Sequence, residues 1–200
     1  EQLASIGADV ICIQETHINN SRSIAKEIAA QLNFDFVYDV DVSPSHIDGK
    51  FRLGNSIISK IALEHVTDAY YPYPEFELRF PNGSLAKSRH DKMVQVYEYE
   101  GFMVCNTQML PLELFGHSYV EGEGKKLANE IESILIKNLS SPLIFCGDFN
   151  YNNPSEAYPI FVNKLGLKDT LPDGVTRPNL KGRNASPDHI LVTEQFTCVT

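Results

Sequence analysis

Four short segments of this 200-residue chain place residues suited to phosphoryl chemistry at the end of an apolar run. In "ICIQETH", Glu15 offers a hard oxygen donor of the kind magnesium takes, alongside waters and substrate phosphate. An ordinary loop glutamate would read the same way. In "LIFCGDFNYN", Asp148 and Asn150 project from a turn: an aspartate can orient or deprotonate a water, and an asparagine can donate hydrogen bonds to a phosphoryl oxygen. Asp and Asn also favour turns for purely local reasons. "VCNTQML" ends a third strand with Asn106, Thr107 and Gln108, residue types that commonly cap strands and form turns. In "SPDHILVT", Asp188 and His189 stand side by side, so either a titrating imidazole or an orienting carboxylate could be the working group.

Each segment needs a rigid support, and the apolar patterning supplies one. "DVICIQ" (9–14) and "PLIFCG" (142–147) read as buried strands and "FDFVYDV" (34–40) as a strand, and a long polar segment (41–55) precedes "SIISKIAL". Strands and turns are also predicted through 62–107: "EFELRF", the turn "PNGS", "KMVQVYEY", a tight "EG" turn and "FMVCN". Helices are expected where apolar residues recur at helical spacing. One ends at Gly7. A second, capped by Ser21, carries Ile24, Ile28 and Leu32. A third, in 122–139, presents Leu127, Ile131, Ile134 and Leu135, and a fourth, over 152–166, has Pro154 in its first turn and an internal Pro159. Strand pairs interleaved with a few helices over one uninterrupted domain, 1–200, predict an α/β sandwich, sheet on sheet with helices outside.

Composition narrows the partners. With 17 basic and 26 acidic residues the net charge is −9, so no global positive field gathers nucleic acid by counterion release. The basic clusters in 85–92 and 179–184 read first as solvated faces. Cys12, Cys105, Cys146 and Cys198 show no CxxC or zinc-ligand spacing, and three lie in apolar runs as small buried hydrophobes. Reduced thiols favour an intracellular setting. No stretch is long enough to cross a membrane. The chain opens at Glu1, inside what reads as the end of a helix, so it is expected to be a piece of a longer protein, and an upstream signal peptide stays open. His17, His46, His65, His90 and His117 have no mutual metal-ligand spacing.

Taken in order, "ADVICIQE" (8–15), "GNSIISK" (54–60), "VCNTQ" (104–108), "CGDFN" (146–150) and "DHILVT" (188–193) resemble the motifs of the endonuclease/exonuclease/phosphatase family. This family of metal-dependent hydrolases includes DNase I-like nucleases and inositol-polyphosphate phosphatases. The resemblance spans nearly the whole chain, but the family's first Asn-bearing strand and closing "SDH" have no counterpart. It implies a four-layer α/β sandwich of two packed mixed sheets with helices outside, and hydrolysis of a phosphodiester or phosphomonoester by in-line attack of water. It further implies Glu15 as ligand of Mg²⁺, or Mn²⁺ in its place, Asp148 as the group that aligns or deprotonates water, and Asn150 as a phosphoryl-oxygen donor. Asn106 and Gln108 would face substrate phosphate, with Arg89 resembling a family arginine near a strand start.

Asp188 follows Asp148 by a few tens of residues and precedes a strand, so it matches the family's orienting aspartate. His189 then takes the aromatic position beside it, and the catalytic histidine is expected beyond Thr200. Gln108 departs from the pattern, since many relatives carry a phosphate-contacting histidine there and a glutamine cannot hold a proton or a charge. That departure keeps a rival open: a non-catalytic phosphate-binding or interaction module of the same fold. The substrate class implied is a phosphate ester that is small, lipid-linked or part of a nucleic acid.

Overall fold

The computed structural model of the protein describes residues 2–86, 91–140, 142–151, 162–170, 176–180 and 183–197. Helix α1 (Gln2–Ile6) stops at Gly7, whose φ of 70° is the left-handed conformation that ends helices. The chain continues through β1 (Val10–Asn19), the two-residue β2 (Arg22–Ser23), α2 (Ile24–Leu32), β3 (Phe36–Pro44) and β4 (Arg52–Ser59). The cap of α2 is Ser23 rather than Ser21. Ser23 is extended and its side chain accepts the Lys26 N–H, whereas Ser21 turns back onto Asn19 Oδ1. β3 and β4 run deeper into the polar 41–55 stretch than its composition suggested, which leaves 45–51 as the connecting loop.

Next come β5 (Glu64–Tyr70), β6 (Met93–Tyr99), β7 (Phe102–Gln108), a 3₁₀ turn (Leu112–Phe115), α3 (Gly122–Asn138) and β8 (Leu143–Asp148). The strand expected at 75–80 does not form; that region holds a single bridge, Arg79 to Leu85. The strand beside β6 is "EHVTDAY", an exposed sheet edge with little apolar alternation to betray it. Glu100 and Gly101 both have positive φ in the β6–β7 turn, the geometry a two-residue hairpin prefers. β9 (Lys168–Asp169), β10 (Arg177–Leu180), β11 (Arg183–Ala185) and β12 (Asp188–Val192) complete the described chain. The helix expected over 152–166 lies largely outside the described residues.

Two sheets result, ordered β2-β1-β4-β3 and β5-β6-β7-β8-β12-β9, beside a β10-β11 ribbon. The second is mixed, with β7 and β8 parallel. The first was expected to be mixed too, but its described pairs are all antiparallel, because β4 lies between the like-directed β1 and β3. Three apolar layers separate four structural ones. Ala25 and Ala29 of α2 pack on Ile58 with Ile11, Ile13 and Val37 alongside. Ile57, Tyr97 and Val104 meet between the sheets, flanked by Cys12, Tyr38 and Phe102. Leu127, Ile131 and Leu135 of α3 cover Val94, Val96, Phe145 and Leu191. The α/β sandwich is therefore α2, sheet, sheet, α3, and burying each large aliphatic side chain contributes about 1.5–3 kcal/mol. Ala128 joins Leu127, Ile131 and Leu135 on the inner face of α3, and Ile134, partly buried, packs against the same cluster. Among the described residues, no helix is long and apolar enough to cross a membrane.

Candidate active site

Strand pairing brings three of the sequence-selected residues abreast. Gln108 pairs with Asp148 across β7 and β8, and Asp148 pairs with Asp188 across β8 and β12. Directly paired residues share a sheet face with Cβ atoms about 4.5–5.5 Å apart, so the three side chains form one row at the ends of neighbouring strands. From the facing sheet, Glu15 closes on this row: Gln108 Nε2 donates to Glu15 Oε1 at 3.0 Å. Residues from four strands thus meet at one rim of the sandwich.

Glu15 reaches the row through a backbone irregularity. Its φ is 55°, and the β1–β4 register shifts between Ile13 and Thr16. A left-handed glutamate inside a strand costs about 1–2 kcal/mol, and bulges of this kind re-aim side chains next to active sites. The result is an exposed carboxylate facing the row.

Every letter of "GDFN" has a structural reason. A Cβ on Gly147 would stand 2.3 Å from Thr107 O and 2.6 Å from Thr107 Cγ2. Gly147→Ala is therefore expected to destabilise the protein by about 3 kcal/mol or more, since backbone must shift and the core repacks poorly. A urea-unfolding midpoint unchanged from the parent would contradict this. Asp148 is 6% exposed, and its Oδ1 accepts the Asn150 N–H at 3.0 Å. Phe149 is buried against Phe145 and Tyr151, and its N–H donates to Pro187 O. Asn150 takes a φ of 54° and donates from Nδ2 to Met109 O at 2.8 Å. One amide hydrogen of Asn150 is thus used to tie its turn to the end of β7.

Asn106, which the resemblance would set facing phosphate, has its side-chain atoms engaged in the interior. It is fully buried, with Nδ2 donating to Ile13 O (3.1 Å) and Ser56 O (3.0 Å), while Oδ1 accepts from Gln14 Nε2 (2.7 Å). These bonds stitch β7 to β1 and β4 of the opposite sheet. They also explain the glutamine of "QE": Gln14 anchors the strand from which Glu15 turns out. Arg89 lies outside the described residues.

His189 leaves the site altogether. Successive strand residues point to opposite faces, so His189 projects away from the side that carries Asp188. Its Nδ1 is 2.9 Å from Asp169 Oδ2, its Nε2 is 3.4 Å from Tyr151 O, and its ring stacks on Tyr151. Both His189 and Asp169 side chains are 2% exposed, a core pair rather than a working base.

Lys92, part of the basic cluster that the sequence presents as a solvated face, does enter the site. Its Nζ donates to Gln108 Oε1 at 2.6 Å, so one amide links the lysine to Glu15. Burial pushes the ammonium down to about 8, while the nearby Glu15 and Asp148 charges pull it back up. The signal that could have marked it is its place immediately before the apolar run of β6, the strand that pairs with the one ending in Gln108. Elsewhere Cys12 and Cys146 meet across the two sheets. The Cys12 thiol is raised well above its usual range, first by its hydrogen bond with Cys146 and then by burial, which leaves it a protonated hydrophobe.

The model of the Endonuclease/Exonuclease/phosphatase family matches residues 1–200. An endonuclease/exonuclease/phosphatase family protein from Leptotrichia buccalis superposes with a TM-score of 0.65 at 18% identity, over 98% of this chain and 79% of that one. An AP endonuclease from Archaeoglobus fulgidus gives a TM-score of 0.59 at 19% identity, over 97% and 79%. A mannosyl-6-phosphatase from Bacteroides thetaiotaomicron gives 0.58 at 16%, over 96% and 75%. No curated protein sequence matches the chain. The motif order, the four layers and the family-wide match agree, and the chain belongs to the endonuclease/exonuclease/phosphatase family.

Proposed function

We propose that the protein is a divalent-metal-dependent hydrolase of phosphodiester or phosphomonoester bonds. The observation that carries this reading is the convergence of an outward-turned Glu15 on the Gln108–Asp148–Asp188 row. The donor set suits Mg²⁺ or Mn²⁺: Glu15 is one exposed carboxylate, and among the described residues no three His, Cys, Asp or Glu side chains gather as a closed ligand set. A bound Mg²⁺ supplies polarisation of the scissile phosphate and offsets charge on the leaving oxygen.

The protein's own groups do the rest. Asp148, held by the Asn150 N–H, aligns or deprotonates the attacking water. Asn150 has a second amide hydrogen to offer a phosphoryl oxygen. Asp188, half-buried at the end of the row, orients a histidine contributed by chain outside residues 1–200 and stabilises its cationic form. An apolar cleft of about 760 Å³ beside Asp188, walled by Cys12, Phe102, Val104 and Ile144, gives such chain a place to pack. Structures of this fold named above include an AP endonuclease and a mannosyl-6-phosphatase, so both nucleic acid and small phosphate esters are candidate substrates. A net charge of −9 favours a small or lipid-linked phosphate, or a locally gripped nucleic acid, over bulk DNA degradation.

The test is hydrolysis of p-nitrophenyl phosphate and bis(p-nitrophenyl) phosphate by the full-length polypeptide with Mg²⁺ or Mn²⁺. Turnover is expected to need the metal and to fall at least about 100-fold in Glu15→Ala, whereas the 200-residue chain alone is expected to be slow. Equal rates for parent and Glu15→Ala would overturn the reading and favour a non-catalytic binding module. Fast turnover by the 200-residue chain would overturn the role given to Asp188.

A further inference from the structure

Asn55, in the "GNSIISK" segment of β4, is 3% exposed, and its Nδ2 has no hydrogen-bond partner among the described residues. A buried donor left unpaired is costly and rare, and in a native protein it points to an occupant that satisfies it. Asn55 lines a small concavity together with Lys92, Gln108, Ser43 and Asp91, and apolar neighbours including Leu53 and Met93 form the rest of the wall. The space available is about 10 Å³, roughly what one oxygen-sized occupant fills. Asp91 is the one acidic side chain of this lining, and two of its other groups are donors. The Asn55 amide is a donor, and the Lys92 ammonium carries three donors, of which Gln108 Oε1 takes one. Through Gln108 Nε2 the concavity adjoins Glu15, the proposed metal ligand.

We propose that Asn55 and Lys92, with Gln108 holding the lysine in place, form an oxyanion subsite that receives one non-bridging oxygen of the phosphate ester. This rests on the phosphoesterase reading above and adds to it a second contact point on the phosphoryl group, beyond Glu15, Asp148 and Asn150. A charge-assisted bond from an ammonium to an oxyanion is about twice as strong as a neutral one, so the subsite returns the positive charge that Gln108 cannot carry. Gln108 then serves as a spacer. Its carbonyl oxygen takes the lysine and its amide nitrogen takes Glu15, which keeps the cation and the carboxylate from collapsing onto each other.

The experiment is calorimetric titration of the full-length polypeptide with inorganic phosphate in saturating Mn²⁺, for the parent, Lys92→Met and Asn55→Leu. Each variant is expected to bind phosphate at least about 10-fold more weakly, with Mn²⁺ affinity within about 2-fold of the parent. Asn55→Leu removes a buried donor that has no partner, so its thermal midpoint is expected to hold or to rise by a few degrees, whereas Lys92→Met takes the donor from Gln108 Oε1 and is expected to lower the midpoint by no more than a few degrees. A purely structural role would lower the midpoint and leave phosphate affinity alone. Parent-like phosphate binding in both variants would overturn the subsite while leaving the phosphoesterase reading intact. A parent chain that binds neither Mn²⁺ nor phosphate would overturn both.

Discussion

Asp148→Asn is expected to lower kcat of the full-length protein by about 10³-fold while the fold stands. General-base assistance is worth about 10²–10⁴ in rate, or roughly 3–5 kcal/mol of barrier. The substitution removes that capacity and little else. Asn keeps an oxygen where Asp148 Oδ1 accepts the Asn150 N–H, so the turn that aims Asn150 survives. Gly147, Phe149 and the register against Asp188 and Gln108 are untouched. Stability should be conserved or improved, because Asp148 and Asp188 stand directly opposite each other and like charges in that arrangement repel. The pairing of lost turnover with an unchanged or raised thermal midpoint separates a working carboxylate from a structural one. A kcat within a few-fold of the parent would remove Asp148 from the water-activating role and shift the search to Asp188.

The parts of the site that could be read from the chain are those whose chemistry and support lie close together in sequence. "GDFN" declares itself because its glycine, acid, aromatic and left-handed asparagine all act within one turn. "QE" is visible as a polar pair at the end of an apolar strand, but the purpose of its glutamine is not. Gln14 meets Asn106 at a sequence separation of 92, and nothing local announces that bond. Lys92 fails to stand out for the same reason. In a basic stretch it looks like a solvated charge, and only β6 lying beside β7 turns it toward Gln108. Asn55 is hidden within an apolar strand, where an amide has no pattern to break. In the fold, the layers and most strands follow from apolar spacing. The exposed edge strand β5 does not, because an edge needs little apolar content to pair. Ser23 displaced Ser21 as cap because Ser21 found a nearer partner in Asn19, a local competition that the residue types alone leave undecided.

The second large effect belongs to Asn106. Replacing it by Leu preserves volume but leaves Ile13 O, Ser56 O and Gln14 Nε2 without the partners they have now, all at or near the middle of the sandwich. Each buried group so orphaned costs about 1–3 kcal/mol, and partial relaxation or water entry offsets some of it, so a net loss of about 3–5 kcal/mol is expected. For a domain of this size that lowers the thermal midpoint by roughly 6–15 °C. Function should suffer beyond what stability explains. Asn106 sits two residues before Gln108 and bonds to Gln14, the neighbour of Glu15, so it sets the distance between the strand that carries Glu15 and the Gln108–Asp148–Asp188 row. At temperatures where the variant is still folded, its Mn²⁺ affinity and turnover are expected to fall together, unlike Asp148→Asn, which should spare metal binding. Gln14→Leu removes one bond of the same clamp and should show a smaller loss. In the double variant the two losses should sum to more than is measured, because the Gln14–Asn106 bond can be broken only once. Additive effects in that cycle, or an Asn106→Leu midpoint within about 2 °C of the parent, would show that the sheets are held in register by apolar packing alone.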